Sequence, residues 1–282
     1  MSGSYVLGLV GAGIDRSLTP AMQEAEGRAH GLSLGYRIVN ATTHGLGVDD
    51  LPDLLRWAHR LGFDGLNVTH PFKQAVVPLL DELSDAAHDL GAVNTVVIRD
   101  GRTFGHNTDW SGYARAFREA LPDAAGDRAV MIGAGGAGAA VGYALLSEGV
   151  SHVDVYDVDA DRAAAAVVRL AKRFGDARVE AVGDLPSAVA GAGGVVNATP
   201  IGMHGHEGLP LAADLLEPRH WVSDVVYFPL ETELIGLARS RGCRVVPGGG
   251  MAVGQAVGSF ELFTGRPADA ERMSRHFAEL TR

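Results

Sequence analysis

Strand-like and helix-like runs alternate along almost the whole 282-residue chain, and this alternation constrains the fold more than any other feature. Short apolar runs that end at glycine or at a polar residue are separated by helical stretches of about 10–15 residues. Such spacing predicts parallel strands joined by right-handed helical crossovers. At about 150 residues per domain, the length suffices for two such units. We therefore predict a two-domain α/β protein with mostly parallel sheets.

The individual elements follow from hydrophobic periodicity and from turn residues. Pro122–Asp127 separates two series of elements and is the expected hinge between domains. The expected strands are Tyr5–Val10, Tyr36–Val39, Gly65–Val68, Val93–Ile98, Arg102–Gly105, Ala129–Ile132, His152–Tyr156, Gly194–Asn197 and Val222–Val225. The expected helices are Pro20–His30, Asp49–Leu61, Phe72–Leu83, Gly136–Glu148, Arg162–Phe174 and two more after Gly250 that break at Thr264–Pro267.

Composition excludes several classes of function. The 34 acidic and 24 basic side chains give a net charge of −10, which argues against binding to nucleic acid or to an anionic membrane. The single cysteine, Cys243, cannot form an intrachain disulfide, so a reducing compartment is expected. The first apolar stretch is short and interrupted by glycine, which predicts neither a signal peptide nor a membrane anchor. We expect a cytoplasmic protein, either a monomer or a homodimer.

A glycine-rich motif follows the first strand of the second series. In the order G-x-G-x-x-G it comprises Gly133, Ala134, Gly135, Gly136, Ala137 and Gly138. The first glycine permits a tight turn, the second lets the backbone approach a pyrophosphate, and the third packs the helix against the strand. Free N–H groups and the positive dipole end of the following helix favour the same phosphates. The motif predicts a Rossmann domain that binds a dinucleotide.

An acidic residue at the end of the next strand indicates which dinucleotide is bound. Asp157 lies 19 residues past Gly138, where a carboxylate accepts hydrogen bonds from the adenine ribose hydroxyls. The 2′-phosphate of NADP would bring about two negative charges against Asp157 and Asp159 and would need a cationic partner. Arg162 is a candidate cofactor contact, although Asp159 and Asp161 flank it and a solvated arginine is the alternative. The pattern favours NAD over NADP.

Polar clusters lie at expected strand ends of the N-terminal half, where open α/β sheets bind their ligands. They are rich in hydroxyl and amide groups and contain one lysine and one aspartate, Lys73 and Asp109. They predict a pocket for a polyhydroxylated molecule with these two residues as candidate catalytic groups, although Ser17 or Thr19 could equally cap a helix. The clusters are residues 17–20 (SLTP), 67–73 (NVTHPFK), 91–95 (GAVNT) and 105–109 (GHNTD).

These motifs, taken in order, identify a family. With the Gly133–Gly138 loop, residues 197–203 (NATPIGM), Gly250-Met251 and Gln255, the chain resembles the shikimate dehydrogenase family, most closely its NAD-preferring quinate/shikimate branch. The resemblance covers essentially the whole chain. It implies a substrate-binding and catalytic domain over residues 1–109, a Rossmann NAD-binding domain over 110–249, and C-terminal helices over 250–282 that return to the N-terminal domain.

The resemblance also implies the roles of individual residues, with Lys73 and Asp109 as the catalytic pair. The reaction it implies is reversible oxidation of the ring 3-hydroxyl of quinate or shikimate, a small cyclic polyhydroxy carboxylate. The implied substrate ligands are Ser17, Thr19 and Tyr227 at the carboxylate and Thr69, Asn94 and Gln255 at the ring hydroxyls. The implied neighbours of the nicotinamide half of NAD are Ala198, Thr199, Pro200, Val226, Gly248 and Met251, the last of which could equally be a core methionine.

Oxidation of a secondary alcohol needs a hydride acceptor and removal of the hydroxyl proton. Two arrangements of the catalytic pair are open. In one, a neutral Lys73 takes the proton while Asp109 orients the hydroxyl or shares the proton. In the other, a charged Lys73 polarises the oxygen.

Two departures from the family pattern bear on the substrate and the cofactor. Thr19 stands where shikimate-specific members carry serine, and residues 157–159 (DVD) stand where NADP-using members carry Asn-Arg-Thr. Both favour quinate or shikimate breakdown over the NADP-linked biosynthetic reaction, with an amino-shikimate dehydrogenase as a further alternative.

Two other classes of protein remain as alternatives. A methylenetetrahydrofolate dehydrogenase would also combine a lysine base with a Rossmann domain, but it would not explain residues 17–19 or 107–109. A non-catalytic NAD-responsive sensor would not need both Lys73 and Asp109.

We expect no metal site. Residues 204–207 (HGHE) include side chains that bind metals, but no further residues with that spacing accompany them, and a mobile loop near the cofactor is favoured. His70 and His106 lie beside pocket residues and are expected to have structural roles.

Overall fold

The structure is a computed structural model that describes residues 3–281. It divides into two compact units, the first comprising the chain up to Thr108 and again from Gln255, and the second comprising Asp109–Gly254. The resemblance implies divisions at 109/110 and 249/250, whereas the two units divide at 108/109 and 254/255. The second division lies inside a helix, where no turn residue marks it in the sequence.

Both units consist of strands and helices in alternation. None of the helices in residues 3–281 is both long and apolar enough to cross a lipid bilayer. The strands are β1 (Ser4–Gly11), β2 (Ser33–Asn40), β3 (Gly65–Val68), β4 (Glu82–Leu83), β5 (Thr95–Arg99), β6 (Arg102–His106), β7 (Arg128–Ile132), β8 (His152–Tyr156), β9 (Val179–Ala181), β10 (Gly194–Asn197), β11 (Trp221–Asp224) and β12 (Arg244–Val246). The helices are α1 (Thr19–Ala29), α2 (Ala41–His44), α3 (Leu51–Arg60), α4 (Asp85–Leu90), α5 (Thr108–Ala120), α6 (Gly136–Ser147), α7 (Ala160–Phe174), α8 (Leu185–Gly191), α9 (Glu233–Ser240), α10 (Gly249–Thr264) and α11 (Ala270–Leu280).

The sheet of the first unit is mixed. Its strand order is β2-β1-β3-β5-β6-β4, and β1 pairs in parallel with β2 and β3. β5 runs antiparallel to both β3 and β6, whereas the remaining pairings of this sheet are parallel. The reversal occurs at Asp100-Gly101, where φ values of 51° and 78° form the two-residue turn typical of hairpins. The Asp-Gly pair in the sequence is the local signal for this hairpin.

The sheet of the second unit is parallel throughout the described residues. Its order is β12-β11-β10-β7-β8-β9, so the chain starts at β7, moves outward through β8 and β9, and then returns to β10 on the other side. Strands β7 and β10 are largely apolar and buried, and all four residues of β11 are buried, as expected when helices cover both faces of a parallel sheet. The reversal of strand order between β7 and β10 creates the crevice where such sheets bind ligands.

One expected helix does not form. Phe72–Leu83 consists of turns, a short 3₁₀ segment over Val77–Leu79 and the two-residue strand β4. The prediction was wrong because Pro78 has no N–H to donate to the preceding turn and its ring disfavours a continuous helix. The chain instead makes single turns, in which Val76 N donates to Phe72 O at 2.9 Å. The expected break at Thr264–Pro267 is confirmed, because α10 ends at Thr264 and α11 begins at Ala270.

The C-terminal helices are fixed to α1 by polar side chains. Glu26 is fully buried and accepts hydrogen bonds from Arg272 Nη2 at 2.7 Å, Arg272 Nε at 2.8 Å and the backbone N–H of Asp269 at 2.8 Å. Burial opposes ionisation of this carboxyl group, but the bonds and charge of Arg272 lower its pKa below the usual value. One turn earlier, Gln23 Nε2 donates to Ala256 O at 2.8 Å and to Ser259 Oγ at 2.9 Å. These contacts orient α1, whose first residue is Thr19.

We expect Gly194→Ala to destabilise the second unit. A Cβ at Gly194 would lie 2.1 Å from ring atoms of Trp221, the fully buried residue that is paired with Gly194 on the neighbouring strand β11. Overpacking of this kind costs about 1–3 kcal/mol of unfolding free energy or more. The measurement is the urea midpoint followed by tryptophan fluorescence.

Gly183→Ala is the matched control for this change. Gly183 is exposed, and no atom of residues 3–281 outside its chain neighbours lies within 4 Å of an added Cβ. Its midpoint should stay within about 0.5 kcal/mol of the wild type. Equal losses in both variants would contradict the packing argument.

Candidate active site

The Gly133–Gly138 loop joins β7 to α6 by a close approach of backbone to backbone. Gly133 has a φ of 102°, and a Cβ there would lie 2.8 Å from Thr199 Cγ2 and 2.9 Å from the carbonyl group of Ala198. A Cβ at Gly138 would lie 2.2 Å from the carbonyl oxygen of Gly133. Gly138 therefore leaves room for the carbonyl oxygen of Gly133, in addition to the expected role of packing the helix against the strand.

The outer side of the same loop is open. Gly135 is the N-cap of α6, and Gly135 and Gly136 are both exposed. Apart from their chain neighbours and the backbone of α6, no atom of residues 3–281 lies within 4 Å of an added Cβ at either position. Glycine backbone that ends at a helix N-terminus and is free of side chains fits a pyrophosphate group.

Asp157 lies immediately after β8 and is anchored to this loop. Its Oδ2 accepts the N–H of Ala134 at 2.8 Å, its Oδ1 accepts the N–H of Asp159 at 3.0 Å, and its side chain is 5% exposed. Asp159 accepts N–H bonds from Asp161 and Arg162 and caps α7. Arg162 is exposed, with Nη1 3.6 Å from Asp157 Oδ1 and Nη2 3.4 Å from Asp159 Oδ2. The guanidinium group is thus directed toward two carboxylates of its own chain.

The loop that follows β10 lies beside the glycine loop and is bonded to the end of β11. Ala198 N donates to Ile132 O at 2.8 Å, which continues the ladder between β10 and β7. Asn197 Oδ1 accepts from the Thr199 backbone N–H at 3.1 Å and from Thr199 Oγ1 at 2.6 Å. Asn197 and Asp224 are paired across β10 and β11, and Asn197 Nδ2 donates to Asp224 Oδ1 at 2.9 Å. The expected cofactor residues Ala198 and Thr199 therefore lie at the crevice where the strand order reverses.

The other expected neighbours of the nicotinamide are on two further segments of the second unit. Val226 is buried, whereas Tyr227 is 42% exposed. A Cβ at Gly248 would lie 2.4 Å from Val226 O, so the glycine allows this segment to approach the start of α10. Met251 is half-buried in the first turn of α10, and Pro200 is exposed.

In the first unit the expected substrate residues gather at one edge of the sheet. Ser17 and Thr19 follow β1 and Thr69 follows β3, and these parallel strands end at the same edge. Asn94 precedes β5, which runs the opposite way, and its neighbour Thr95 is paired with both Asn67 and His106. The antiparallel hairpin therefore brings the start of β5 and the end of β6 to the edge where β1 and β3 end.

The loop after β1 has its own supports. Ala12 N donates to His70 O at 2.8 Å, and Thr69 N donates to Val10 O at 2.9 Å. Ser17 Oγ accepts the N–H of Thr19 at 3.3 Å. The N-cap position of α1 belongs to Leu18, so neither candidate hydroxyl occupies it. Gln255 lies on α10 next to Ala256, whose carbonyl oxygen binds Gln23 of α1.

Two buried amide side chains hold this edge together: Asn40, which lies outside the four polar clusters, and Asn67, which begins the second of them. Asn40 Oδ1 accepts the N–H of Gly13 at 3.1 Å, and its Nδ2 donates to Asp15 Oδ2 at 2.7 Å, which fixes the loop that leads to Ser17. Asn67 Oδ1 accepts from Tyr36 Oη at 2.6 Å. The position of Asn40 at the carboxyl end of a predicted strand is the signal that could have identified it.

Asn94 is bound to the start of α5. Its Oδ1 accepts the backbone N–H of Thr108 at 2.7 Å, and its Nδ2 lies 3.0 Å from Thr108 Oγ1. Asp109 follows in the first turn of α5 and is 4% exposed. Lys73 is half-buried in the loop after β3, and its carbonyl oxygen accepts the N–H of Val93 at 2.8 Å. The backbone of Lys73 and that of Thr108, the residue before Asp109, are thus both bonded to the segment 93–94. His106 is half-buried, and burial lowers its pKa below the usual value.

Possible metal ligands lie elsewhere. In the His204–Glu207 loop, Glu207 Oε1 accepts the N–H of Gly205 at 2.9 Å. Ligand atoms of His152, Asp154 and Glu180 lie within 4.8 Å of one another. Arg128 donates to both oxygens of Asp154, at 2.6 and 2.5 Å, so its guanidinium offsets one of the two carboxylate charges of that cluster.

Comparison with known proteins decides the family. A model of the shikimate dehydrogenase substrate-binding domain matches residues 9–96, and a model of the shikimate 5-dehydrogenase C-terminal domain matches residues 248–275. The shikimate dehydrogenase (NADP⁺) of Pseudarthrobacter chlorophenolicus is 54% identical over 98% of this chain and 95% of its own. The chain belongs to the shikimate dehydrogenase family.

Two further members of the shikimate dehydrogenase family are informative. The quinate/shikimate dehydrogenase (NAD⁺) of Corynebacterium efficiens is 49% identical over 98% of this chain and 99% of its own. The structure of quinate dehydrogenase from Corynebacterium glutamicum in complex with NAD has a TM-score of 0.95 and 48% identity, and the match covers 99% of this chain and 100% of that one. Membership confirms the expected two-domain α/β fold and an oxidoreductase with a nicotinamide cofactor.

Proposed function

We propose that the protein is an NAD-dependent dehydrogenase that reversibly oxidises the 3-hydroxyl of quinate or shikimate to the 3-dehydro acid. The observation that carries the proposal is the full-length structural match to a quinate dehydrogenase in complex with NAD. The sheet edge lined by Ser17, Thr19, Thr69 and Asn94 offers hydroxyl and amide groups, which suit a ring that carries several hydroxyls and a carboxylate.

Overall sequence identity does not distinguish NAD from NADP as the cofactor, but individual residues near the glycine loop support NAD. Relatives named for NADP⁺ and for NAD⁺ are 54% and 49% identical to this chain. Asp157 is held by the glycine loop at the position where a carboxylate binds the adenine ribose, and Asp159 stands beside it. The guanidinium of Arg162 is directed to these two carboxylates. A 2′-phosphate would therefore be repelled by their negative charges, and Arg162 would not be free to compensate it.

The proposal assigns proton transfer to Lys73 and Asp109. When bound, NAD would supply the hydride acceptor, with its pyrophosphate at Gly133–Gly138. The chain itself would remove the hydroxyl proton, either through a neutral Lys73 with Asp109 orienting the hydroxyl, or through Asp109 with Lys73 polarising the oxygen. Asn94 supports this assignment because it binds the backbone of Thr108, directly before Asp109.

The substrate end follows the same reasoning. Ser17, Thr19 and Tyr227 are assigned to the carboxylate, and Thr69, Asn94 and Gln255 to the ring hydroxyls. The methyl group that distinguishes Thr19 from a serine changes the shape of the expected binding site for the substrate carboxylate. We assign acceptance of quinate to this difference. One such group changes discrimination by about 1–3 kcal/mol.

The first test is the initial rate of nicotinamide reduction with quinate and with shikimate, each with NAD and with NADP. We expect turnover of both acids with NAD and little with NADP. Turnover confined to shikimate with NADP would instead assign the protein to the NADP-linked biosynthetic reaction.

We expect Asp157→Asn to shift cofactor preference toward NADP. The change removes one negative charge near the adenine ribose, which weakens repulsion of a 2′-phosphate and weakens the bonds to the NAD ribose. The ratio of kcat/KM for NAD to that for NADP should fall about tenfold or more, which corresponds to about 1.4 kcal/mol. Asp161→Asn removes the same charge from an exposed position in the first turn of α7 and should leave the ratio within about twofold. An unchanged ratio in Asp157→Asn would remove Asp157 from cofactor selection.

We expect Lys73→Ala to abolish turnover while NAD affinity stays the same. The reason is that Lys73 is assigned to the reacting hydroxyl and not to the dinucleotide. kcat should fall by at least about 100-fold, as when a general acid–base group is lost. Lys172→Ala is the matched control, because Lys172 is the other lysine of the chain and is exposed in the last turn of α7. Near-normal kcat in Lys73→Ala would exclude this residue from the mechanism.

A further inference from the structure

Asp224 is a buried carboxylate for which the proposed chemistry has no use. It ends β11, it is 1% exposed, and burial raises its pKa above the usual value. A carboxylate in such a place is costly unless hydrogen-bond donors surround it. The donors that it has therefore indicate what it is retained for.

Three donors from two different segments bind this carboxylate. Oδ1 accepts from Asn197 Nδ2 at 2.9 Å and from the backbone N–H of Val226 at 3.0 Å. Oδ2 accepts from Thr232 Oγ1 at 2.7 Å. Asn197 belongs to the end of β10, whereas Val226 and Thr232 are the two ends of the segment that follows β11. One carboxylate thus fixes the loop after β10 and both ends of the segment after β11.

The contact with Asn197 extends to the expected cofactor residues. Asn197 uses its Oδ1 to hold the backbone and the hydroxyl of Thr199, and its Nδ2 also donates to Ile201 O at 2.9 Å. Thr199 and Ala198 in turn lie against the position of a Cβ at Gly133. The loop 198–201 is therefore positioned by Asp224 on one side and by the dinucleotide loop on the other.

The segment after β11 shows the same dependence. Val226 is held at its N–H by Asp224, and its carbonyl oxygen would be 2.4 Å from a Cβ at Gly248. The chain just after the loop 198–201 also contacts the segment after β11, because the rings of His204 and Phe228 lie 5.2 Å apart, edge to face. Asp224 is thus the shared support of two segments that flank one crevice.

We propose that Asp224 is a positioning residue that holds Ala198–Ile201 and Val225–Thr232 in register around the nicotinamide end of the cofactor. This inference rests on the proposed function, because that function places the nicotinamide beside Ala198, Thr199 and Val226. Loss of Asp224 would allow the two segments to shift relative to each other. A shift of about 1 Å at a reacting centre costs about 100-fold in rate. The adenosine half, held by Gly133–Gly138 and Asp157, would be unaffected.

The test separates the two halves of the cofactor. In Asp224→Ala, kcat at saturating NAD and quinate should fall about 30- to 100-fold, and the fluorescence enhancement of bound NADH should decrease. The dissociation constant of ADP-ribose, which lacks the nicotinamide, should stay within about twofold. Asp224→Asn should restore most of both signals, because an amide oxygen can accept from Asn197 and Val226 while the amide nitrogen donates to Thr232 Oγ1.

A second variant serves if Asp224→Ala does not fold. Thr232→Val keeps the shape of the side chain but removes one donor to Asp224, and it should lower kcat about tenfold with ADP-ribose affinity unchanged. Thr232→Ser keeps the hydroxyl and should behave as the wild type. Asp154→Asn is the matched control, since Asp154 is equally buried in the same sheet but pairs with Arg128 and should affect neither kcat nor NADH fluorescence beyond about twofold.

The outcomes are distinguishable. Equal weakening of NADH and ADP-ribose binding, or unchanged kcat and fluorescence in both Asp224→Ala and Thr232→Val, would overturn the positioning role. Absence of quinate and shikimate turnover in the wild-type protein would instead overturn the proposed function. The NADH and ADP-ribose measurements would then still decide the role of Asp224.

Discussion

The second unit depends on a contact that no side chain larger than hydrogen could permit. Gly133 and Gly138 bring the turn after β7 against itself and against Ala198, with hypothetical Cβ distances of 2.2–2.9 Å. Because of this approach, the end of β10 lies directly beside the turn that opens α6. The helix N-terminus, Asp157 and the loop after β10 therefore converge at one crevice. The reversal of strand order between β7 and β10 opens the crevice, and the glycines allow the backbones on its two sides to approach each other.

Within each unit, polar side chains at strand ends fix the loops that follow or precede the strands. Asp157 binds the glycine loop, Asn40 binds the loop after β1, Asn94 binds the start of α5, and Asp224 binds the segments after β10 and β11. Each of them accepts backbone N–H groups that would otherwise be unpaired away from water. Unsatisfied buried donors cost about 1–3 kcal/mol each, so these side chains stabilise one loop conformation over others. The strands determine where each loop begins, and these acceptor side chains determine the conformation that the loop adopts.

The sequence predicted features that depend on local pattern and did not predict those that depend on partners distant in the chain. The G-x-G-x-x-G motif and Asp157 have a fixed spacing, so both could be recognised without a structure. Phe72–Leu83 was assigned as a helix because its apolar spacing outweighed Pro78, which stops the helix in the structure. The reversal at Asp100-Gly101 was missed although its turn residues signal it. The role of Asp224 could not be predicted, because two of its three donors, Thr232 and Asn197, lie 8 and 27 residues away in sequence.

The first unit is discontinuous, and this has a consequence for how the chain acquires its structure during synthesis. Glu26 and Arg272 are separated by 246 residues, so the buried carboxylate of α1 has no guanidinium partner until nearly the whole chain has left the ribosome. The second unit, Asp109–Gly254, is contiguous and has its complete set of strands before that point. Helix α1 is among the first elements to be synthesised, but its contact with Arg272 is among the last that can form. Vectorial synthesis thus makes every strand of the second unit available before the partner that secures α1 in the first unit is made.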